Sequence, residues 1–513
     1  MTLSWPRIVR MISLDAAMFC AWLVAIGLVL LHEHGQLWGQ QANPIAMLNA
    51  TLEAKEQWFG LYYHNYCIGF TSTSISPGER QGMPGVVIRD QGRLSFTLLG
   101  VPQRMDVLAQ GFIDANWRLQ AVYAAISGGS NQVRWVGERH GDDLWMTVTT
   151  PESTTTRRIP DPSGTAFVNG LASWTAFHRL RDGQSGRAWV LNPLSLTLDP
   201  MFYHVRGRES VDGSEALVVD TDMAGLQATS WVTPAGEVLK ERSPLGWELR
   251  RHTRHEVMRE MAAASTTAPD LLTATAVPVN REIPAPERLI RVTLLIQGVT
   301  ADQFAIARPW QRVLPPETLA NAHHAAPDGS WCVVELRRPT IGASLTTAPE
   351  GPPRRYTQPS YLVQSDDPRI RAQAAQIVGT TTDPLGQAFL LNQWVYASLN
   401  KQLSIGLPSA VDVLSVRSGD CHEHTVLFTA LARSLGVPTR MVAGLVYQGG
   451  RFYYHAWPEI WVHDWIPTDP TLGQPVADAT HLAIAEAEDE QLTVLGHFVG
   501  QVGIEVLDVE ESK

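Results

Sequence analysis

Short runs of β-branched and aromatic residues dominate the chain from about Asn43 to Met261. Gly85-Val-Val-Ile-Arg, Leu94-Ser-Phe-Thr-Leu-Leu, Leu144-Trp-Met-Thr-Val-Thr and Ala216-Leu-Val-Val-Asp alternate or cluster strand formers between Gly, Asp and Asn turns. Trp58-Phe-Gly-Leu-Tyr-Tyr and Cys67-Ile-Gly-Phe read as a first hairpin, and the region as one large antiparallel sheet or half-barrel. Ala262 to Pro286 is rich in Ala, Thr and Pro and reads as a linker. Leu289-Ile-Arg-Val-Thr-Leu-Leu-Ile and Ser330-Trp-Cys-Val-Val-Glu-Leu then predict a small β module. Beyond the Pro-rich stretch 349–359 the period changes from two to that of a helix. Asp367-Pro368 and Asp383-Pro384 each start a helix, because proline suits the first helical position. In the second, Leu385, Ala388, Phe389, Asn392, Tyr396 and Leu399 form one face. A third helix carries Val426, Leu427, Ala430, Leu431 and Leu435, closes at Gly436 and Pro438, and takes Asp420 as its N-cap. A strand follows from Arg451 to Val462, with His455, Trp457, Glu459 and Trp461 on one face.

At the N-terminus the pattern is apolar without period. Ala16 to Leu31 carries no charge, Arg7 and Arg10 precede it, and no Lys or Arg falls between Met11 and Ala54. That asymmetry predicts a single membrane span in the inner (cytoplasmic) membrane, with the N-terminus in the cytoplasm and the bulk of the chain on the periplasmic side. A cleavable signal peptide is the alternative, but no small-x-small site follows Leu31. The expected segments are a membrane anchor at 1–36, a β-rich domain at 43–261, a linker at 262–286, a small β module at 287–347 and a C-terminal domain at 360–513. The fold class is α+β, and 513 residues suffice for several domains.

Composition narrows the function. A net charge of −11 without a basic run argues against nucleic acid as a partner. Four cysteines are too few for a disulfide framework. Cys20 lies in the apolar run, and Cys67 and Cys332 fall in different expected domains and read as two buried thiols. No CxxC pair, EF-hand loop, P-loop or dinucleotide glycine pattern is present, so neither cofactor nor metal is expected. His422-Glu-His-Thr-Val is not a zincin motif, because Val426 stands where a second histidine is needed.

The remaining chemistry is concentrated near the C-terminus. Cys421 falls in the first turn of its helix, where free amides and the positive dipole end favour a thiolate. His455 follows on a strand and Asp469 on the next, in Trp465-Ile-Pro-Thr-Asp-Pro-Thr. A nucleophilic thiol, an imidazole that shuttles its proton and a carboxylate that orients the imidazole are the parts of a Cys-His-Asp triad. A hairpin centred on Val462 would set His455 opposite Asp469, with Cβ atoms about 4.5–5.5 Å apart. An odd-length turn around Val462 or a bulge is therefore expected. The Cys421 amide is the natural first oxyanion donor. Trp394, on the preceding helix, reads chiefly as core.

Ser418-Gly-Asp-Cys, Leu435-Gly-Val-Pro-Thr-Arg, Gly444-Leu-Val-Tyr, His455-Ala-Trp-x-Glu and Trp465 before Asp469-Pro-Thr occur in that order. Together they resemble the bacterial transglutaminase-like superfamily, relatives of papain-type cysteine proteases, over about residues 361–513. The resemblance implies a helix-plus-antiparallel-sheet domain with Cys421, His455 and Asp469 in the catalytic positions. It implies attack on a peptide or protein amide and a thioester acyl-enzyme. Water as acceptor makes a peptidase or amidase, and a lysine-type amine makes a crosslinker. A non-catalytic periplasmic binding or scaffold protein, acting through its β-rich domain, is the reading from a different class.

Overall fold

The structure is a computed structural model that describes residues 55–512, apart from 161–179, 193–196, 265–274, 302–307, 322–328, 340–351, 402–408, 488–501 and a few single or paired positions. The expected anchor at 1–36 lies outside the described residues. Among the described residues no helix is long and apolar enough to cross a membrane. The described residues fall into two compact units, 55–264 and 275–512.

Among the described residues, the strands of the N-terminal unit form one fourteen-stranded antiparallel sheet. Its first strand, Lys55–Tyr63, lies mid-sheet, paired on one side with Tyr66–Arg80 and on the other with Trp247–His252. From there neighbours follow in sequence order to the outer strands Thr154–Pro160 and Ser185–Asn192. The period-two pattern sorts the faces. In Asp143–Thr149, Leu144, Met146 and Val148 are buried while Trp145 is exposed. A helix, Arg254–Ala264, follows the last strand and runs into the stretch expected to be linker from 262. Tyr62 fastens it, its hydroxyl bonded to Glu260 and, at 2.8 Å, to His252.

Among its described residues the C-terminal unit holds two larger antiparallel sheets and a cluster of helices. The strands Gln311–Leu314, Trp331–Arg337, Leu289–Gln297 and Gly503–Glu511 form one sheet, in that order. The last strand was expected within the segment 360–513. It pairs instead with Leu289–Gln297, so the small β module is completed from the far end of the chain. The second sheet runs Val277–Pro278, Arg451–Trp461, Thr439–Gln448, Leu482–Glu486, and Trp465–Pro467 also pairs with Arg451–Trp461.

The helices Pro368–Val378 and Pro384–Ser398 begin at their Asp-Pro signals, with Asp367 and Asp383 capping backbone amides. The buried stripe of the second is Ala388, Leu391, Asn392 and Val395. It is rotated from the expected face, since Leu385, Phe389 and Tyr396 are only half-buried. Trp394 is half-buried too, beneath the Arg417 guanidinium at 5.1 Å, and is not core. The helix Cys421–Ser434 is buried on nearly all sides, polar residues His424, Thr425, Thr429 and Arg433 included. It packs between the other helices and the strand Arg451–Trp461, as a helix without a solvent face must.

One face of that strand carries a buried ion network. Glu459, fully buried, accepts from Arg308 Nε at 2.9 Å and from Arg440 Nε at 2.6 Å. Arg440 reaches on to Glu486 at 3.0 Å and lies over the Trp465 ring. Burial pushes the Arg308 guanidinium below its ordinary value, against the pull of Glu459. Removing Glu459's charge leaves two buried cations short of an anion, the situation in which breaking a buried pair is most costly. Glu459→Gln is expected to destabilise the C-terminal unit by about 3–5 kcal/mol, measured as a lower urea midpoint of that unit. A loss within the range of surface pairs, under about 1 kcal/mol, would contradict this.

Candidate active site

Cys421 is the first residue of its helix and is buried. Asp420 caps the helix reciprocally: its carboxylate accepts from the His422 amide at 3.0 Å, and Glu423 accepts from the Asp420 amide at 2.8 Å. Gly419 is required by this box, because a Cβ there would lie 2.3 Å from the Glu423 side chain. Upstream, Asn400-Lys401 pairs in parallel with Ser418-Gly419, tying the approach to Cys421 to the end of the helix Pro384–Ser398.

His455 sits mid-sheet, opposite Gly444. A Cβ at Gly444 would come within 2.1 Å of the Leu482 carbonyl and 2.8 Å of the Trp457 ring, so glycine lets the strand Leu482–Glu486 and that ring close around the histidine. The imidazole stacks on Trp457, with centroids 6.0 Å apart. One turn beyond Cys421, the Thr425 hydroxyl donates to the Ala456 carbonyl at 3.2 Å. Residues four apart share a helix face, so this bond aligns the Cys421 end of the helix with the His455 stretch of the strand.

The route to Asp469 differs from the expectation. The turn after His455's strand has an odd number of residues, but it centres on His463, with φ 66°, and not on Val462. The ladder pairs Trp461 with Trp465 and Glu459 with Pro467, and if continued would set His455 opposite Thr471. It ends instead. Thr468 donates to the Pro458 carbonyl at 3.0 Å, then Asp469 leaves the ladder and exchanges both backbone bonds with Gln474 at 2.8 Å. Buried Asn392 braces this turn, donating to Thr468 Oγ1 at 2.8 Å and to the Gln474 carbonyl at 3.1 Å.

The Asp469 carboxylate, fully buried, serves as turn residue and as orienting anion at once. Oδ1 accepts from the amides of Thr471 and Leu472 at 2.8 and 3.0 Å. Oδ2 accepts from His455 Nε2 at 2.8 Å. His455 Nδ1 is buried and has no hydrogen-bond partner among the described residues. Oδ2 also accepts from His481 Nε2 at 3.1 Å. Burial alone would raise the Asp469 carboxyl, but the charges and hydrogen bonds of the two histidines hold it well below the usual carboxylate range.

His481 was not foreseen from the sequence. Its Nδ1 faces the Asp478 carbonyl at 3.2 Å and carboxylate at 3.3 Å. Burial depresses the His481 ring, but the bonds to Asp469 and Asp478 and their charges outweigh it and raise it to about 9. Asp478 is in turn held low: burial is outweighed by His481, Thr480 and Gln474. The only signal in the sequence is an aspartate three residues ahead of a histidine, shortly after Asp469. Asn392 likewise appeared only as one position on a helix face. Close by, burial pushes His424 down to about 4, despite its bond to the Asp420 carbonyl, so it is a neutral core residue. Cys67 and Cys332 are buried thiols, both raised by burial, Cys332 to about 12.

Residues 371–470 match the transglutaminase-like superfamily. That segment contains Cys421, His455 and Asp469, and His481 lies beyond it. No curated protein matches the chain. Among solved structures, a candidate cysteine protease from Cytophaga hutchinsonii shares 16% identity over 44% of this chain and 84% of its own, with a TM-score of 0.28. A β-barrel-like protein of a domain of unknown function from Brucella abortus shares 8% identity over 39% of this chain and 94% of its own, with a TM-score of 0.29. At TM-scores this low, neither likeness bears on the fold or activity.

Two of these shifts, at His481 and Asp469, give a pH dependence of stability. His481, raised in the folded state, contributes stability that is complete below its unfolded value near 6.5 and is lost as pH rises through about 9. Asp469, lowered, contributes stability present above about pH 4 and lost as pH falls below it. The unfolding free energy of the C-terminal unit should therefore fall by on the order of 3 kcal/mol between pH 6.5 and 9. His481→Gln should flatten that slope, and an equal slope in both proteins would contradict the assignment.

Proposed function

We propose that the C-terminal unit, which carries a transglutaminase-like domain, is a cysteine hydrolase acting on peptide or protein amides. The observation that carries this reading is the His455 imidazole. Its Nε2 is fixed on a buried carboxylate, its Nδ1 is left for another partner, and the Thr425 bond brings the Cys421 helix alongside. A histidine held this way keeps one tautomer, with Nδ1 bare when neutral.

In the proposed reaction Cys421 gives its proton to His455 Nδ1, and the thiolate gains from the helix N-terminus. The sulfur attacks the amide carbonyl, and the Cys421 amide, at the first helical position, stabilises the oxyanion. Collapse breaks the C–N bond, His455 protonates the leaving amine, and a thioester remains. Water, losing its proton to His455, attacks the thioester and releases the acid and the thiol. Asp469 keeps the imidazole oriented and stabilises its charged form. With a primary amine in place of water the same residues would make an amide crosslink. The uncharged stretch 16–31 behind Arg7 and Arg10 supports a membrane-anchored protein with this unit on the periplasmic side.

Alkylation of Cys421 by iodoacetamide across pH is the first test. Reaction well below the free-thiol range, lost from that range in His455→Ala, is expected, and Asp469→Asn should slow turnover at least about 10²-fold. Fluorescent casein with and without dansylcadaverine then separates the outcomes. Cleavage supports the hydrolase, and amine incorporation without cleavage replaces it with a transferase. Alkylation that follows an ordinary thiol and ignores His455 overturns the triad.

A further inference from the structure

The triad reading leaves the buried His481 ring without a role. His481 meets a carboxylate on each side: Asp469 at Nε2, and Asp478, with its own carbonyl, at Nδ1. Every hydrogen-bonding atom given to this ring is an acceptor, so both nitrogens must donate, which only the imidazolium can do. The ring is fully buried, and Trp457 lies edge-on at 5.1 Å, forming a wall shared with His455. The titratable groups facing it are Asp469 from the turn, Asp478 from its own loop and His455 from the strand Arg451–Trp461, whose ring centroid is 6.1 Å away.

We propose that His481 is a positioning residue whose fixed positive charge balances Asp469, leaving His455 able to give up its proton during turnover. The proposal rests on Cys421, His455 and Asp469 acting as the triad. A buried carboxylate needs a cation beside it. If His455 were the only one, its charged form would be favoured more strongly. It could then pair with the thiolate, but it would be neutral, and so able to take a proton from water to resolve the thioester, only at higher pH. With His481 supplying a permanent cation on the same oxygen, His455 is free to alternate between its two states. His481 touches neither sulfur nor acyl group in this scheme and acts through Asp469.

The ligand atoms of His455, Asp469 and His481 lie within 4.8 Å of one another, a spacing that a divalent cation could also exploit. The acceptors on His481 Nδ1 and the donors on Asp469 Oδ1 account for the cluster without one.

The test uses the full chain with p-nitrophenyl acetate as acyl donor. The burst reports transfer of acetyl from the nitrophenolate oxygen to Cys421, and the steady phase its hydrolysis. In His481→Gln the burst should persist. The pH midpoint of the steady phase should move up by about one unit or more, the size of shift a neighbouring charge produces, with the rate recovering at alkaline pH. Asp478→Asn, which keeps the ring and weakens its charge, should move the midpoint in the same direction by less, and it decides the matter if His481→Gln does not fold. An unmoved midpoint with rates lowered evenly at all pH would make His481 merely structural and overturn the proposal. So would stoichiometric metal whose removal by a chelator abolishes the steady phase. Imidazole nitrogen NMR of the wild type, with His481 assigned by its loss in the variant, separates the two readings. A neutral ring at pH 7 sinks this proposal alone, whereas a wild type with no burst sinks the triad and this proposal with it.

Discussion

One fully buried carboxylate organises the C-terminal unit. Asp469 accepts four hydrogen bonds, two from the backbone amides of its own turn and two from imidazoles. Each bond constrains a different part of the chain. The amides fold the turn that takes Asp469 out of the hairpin ladder. His455 Nε2 fixes the ring on the central strand. His481 brings in the loop ahead of the strand Leu482–Glu486. An anion buried at this depth is tolerable only because every lone pair is met and a cation stands beside it.

The surrounding residues make that carboxylate reachable. Asn392 braces the turn from the helix side. Gly444 lets a third strand and the Trp457 ring approach closely behind His455. Gly419 gives room for the capping box that starts the Cys421 helix. The Glu459–Arg440–Arg308 network lies further along the same strand as His455. Several pieces of the motif by which the sequence resembles the transglutaminase-like superfamily thus correspond to packing demands: a glycine where a strand closes in, a tryptophan that walls two imidazoles, and a glutamate that neutralises two arginines.

The elements were legible where local chemistry decides them. Asp-Pro helix starts, the Cys421 helix and the alternating strands of the N-terminal sheet follow from caps and periodicity, and appear close to where those signals fall. What escaped depends on long-range pairing. The register of the hairpin was off because no residue near Val462 marks its turn, and because the carboxylate arrives through an Asx-type turn beyond the ladder and not by cross-strand opposition. The strand Gly503–Glu511 joins a sheet begun two hundred residues earlier, which no local period announces. The helix Arg254–Ala264 was hidden by the Ala- and Thr-rich sequence that follows it. His481 was invisible because its role is defined by two carboxylates that only the fold brings to its ring.

A charge count ties these parts to the proposed chemistry. With Cys421 as thiol and His455 neutral, the cluster holds Asp469, Asp478 and the His481 imidazolium, a net charge of one negative. Moving the proton from Cys421 to His455 leaves that sum unchanged. It does redistribute it: the two imidazoliums then balance the two carboxylates, and the excess negative charge moves to the sulfur. That is the one place in the cluster where a helix N-terminus, worth roughly half a positive charge, is available to receive it. In a buried site, where Coulomb terms are weakly screened, a transfer that conserves net charge and ends with the anion at the dipole is far easier than one that creates an isolated ion. Without the His481 charge the resting cluster would hold two negatives, and His455 would be held more firmly as the imidazolium. On this count the return of His455 to its neutral state, and not the formation of the thiolate–imidazolium pair, depends on a residue outside the triad.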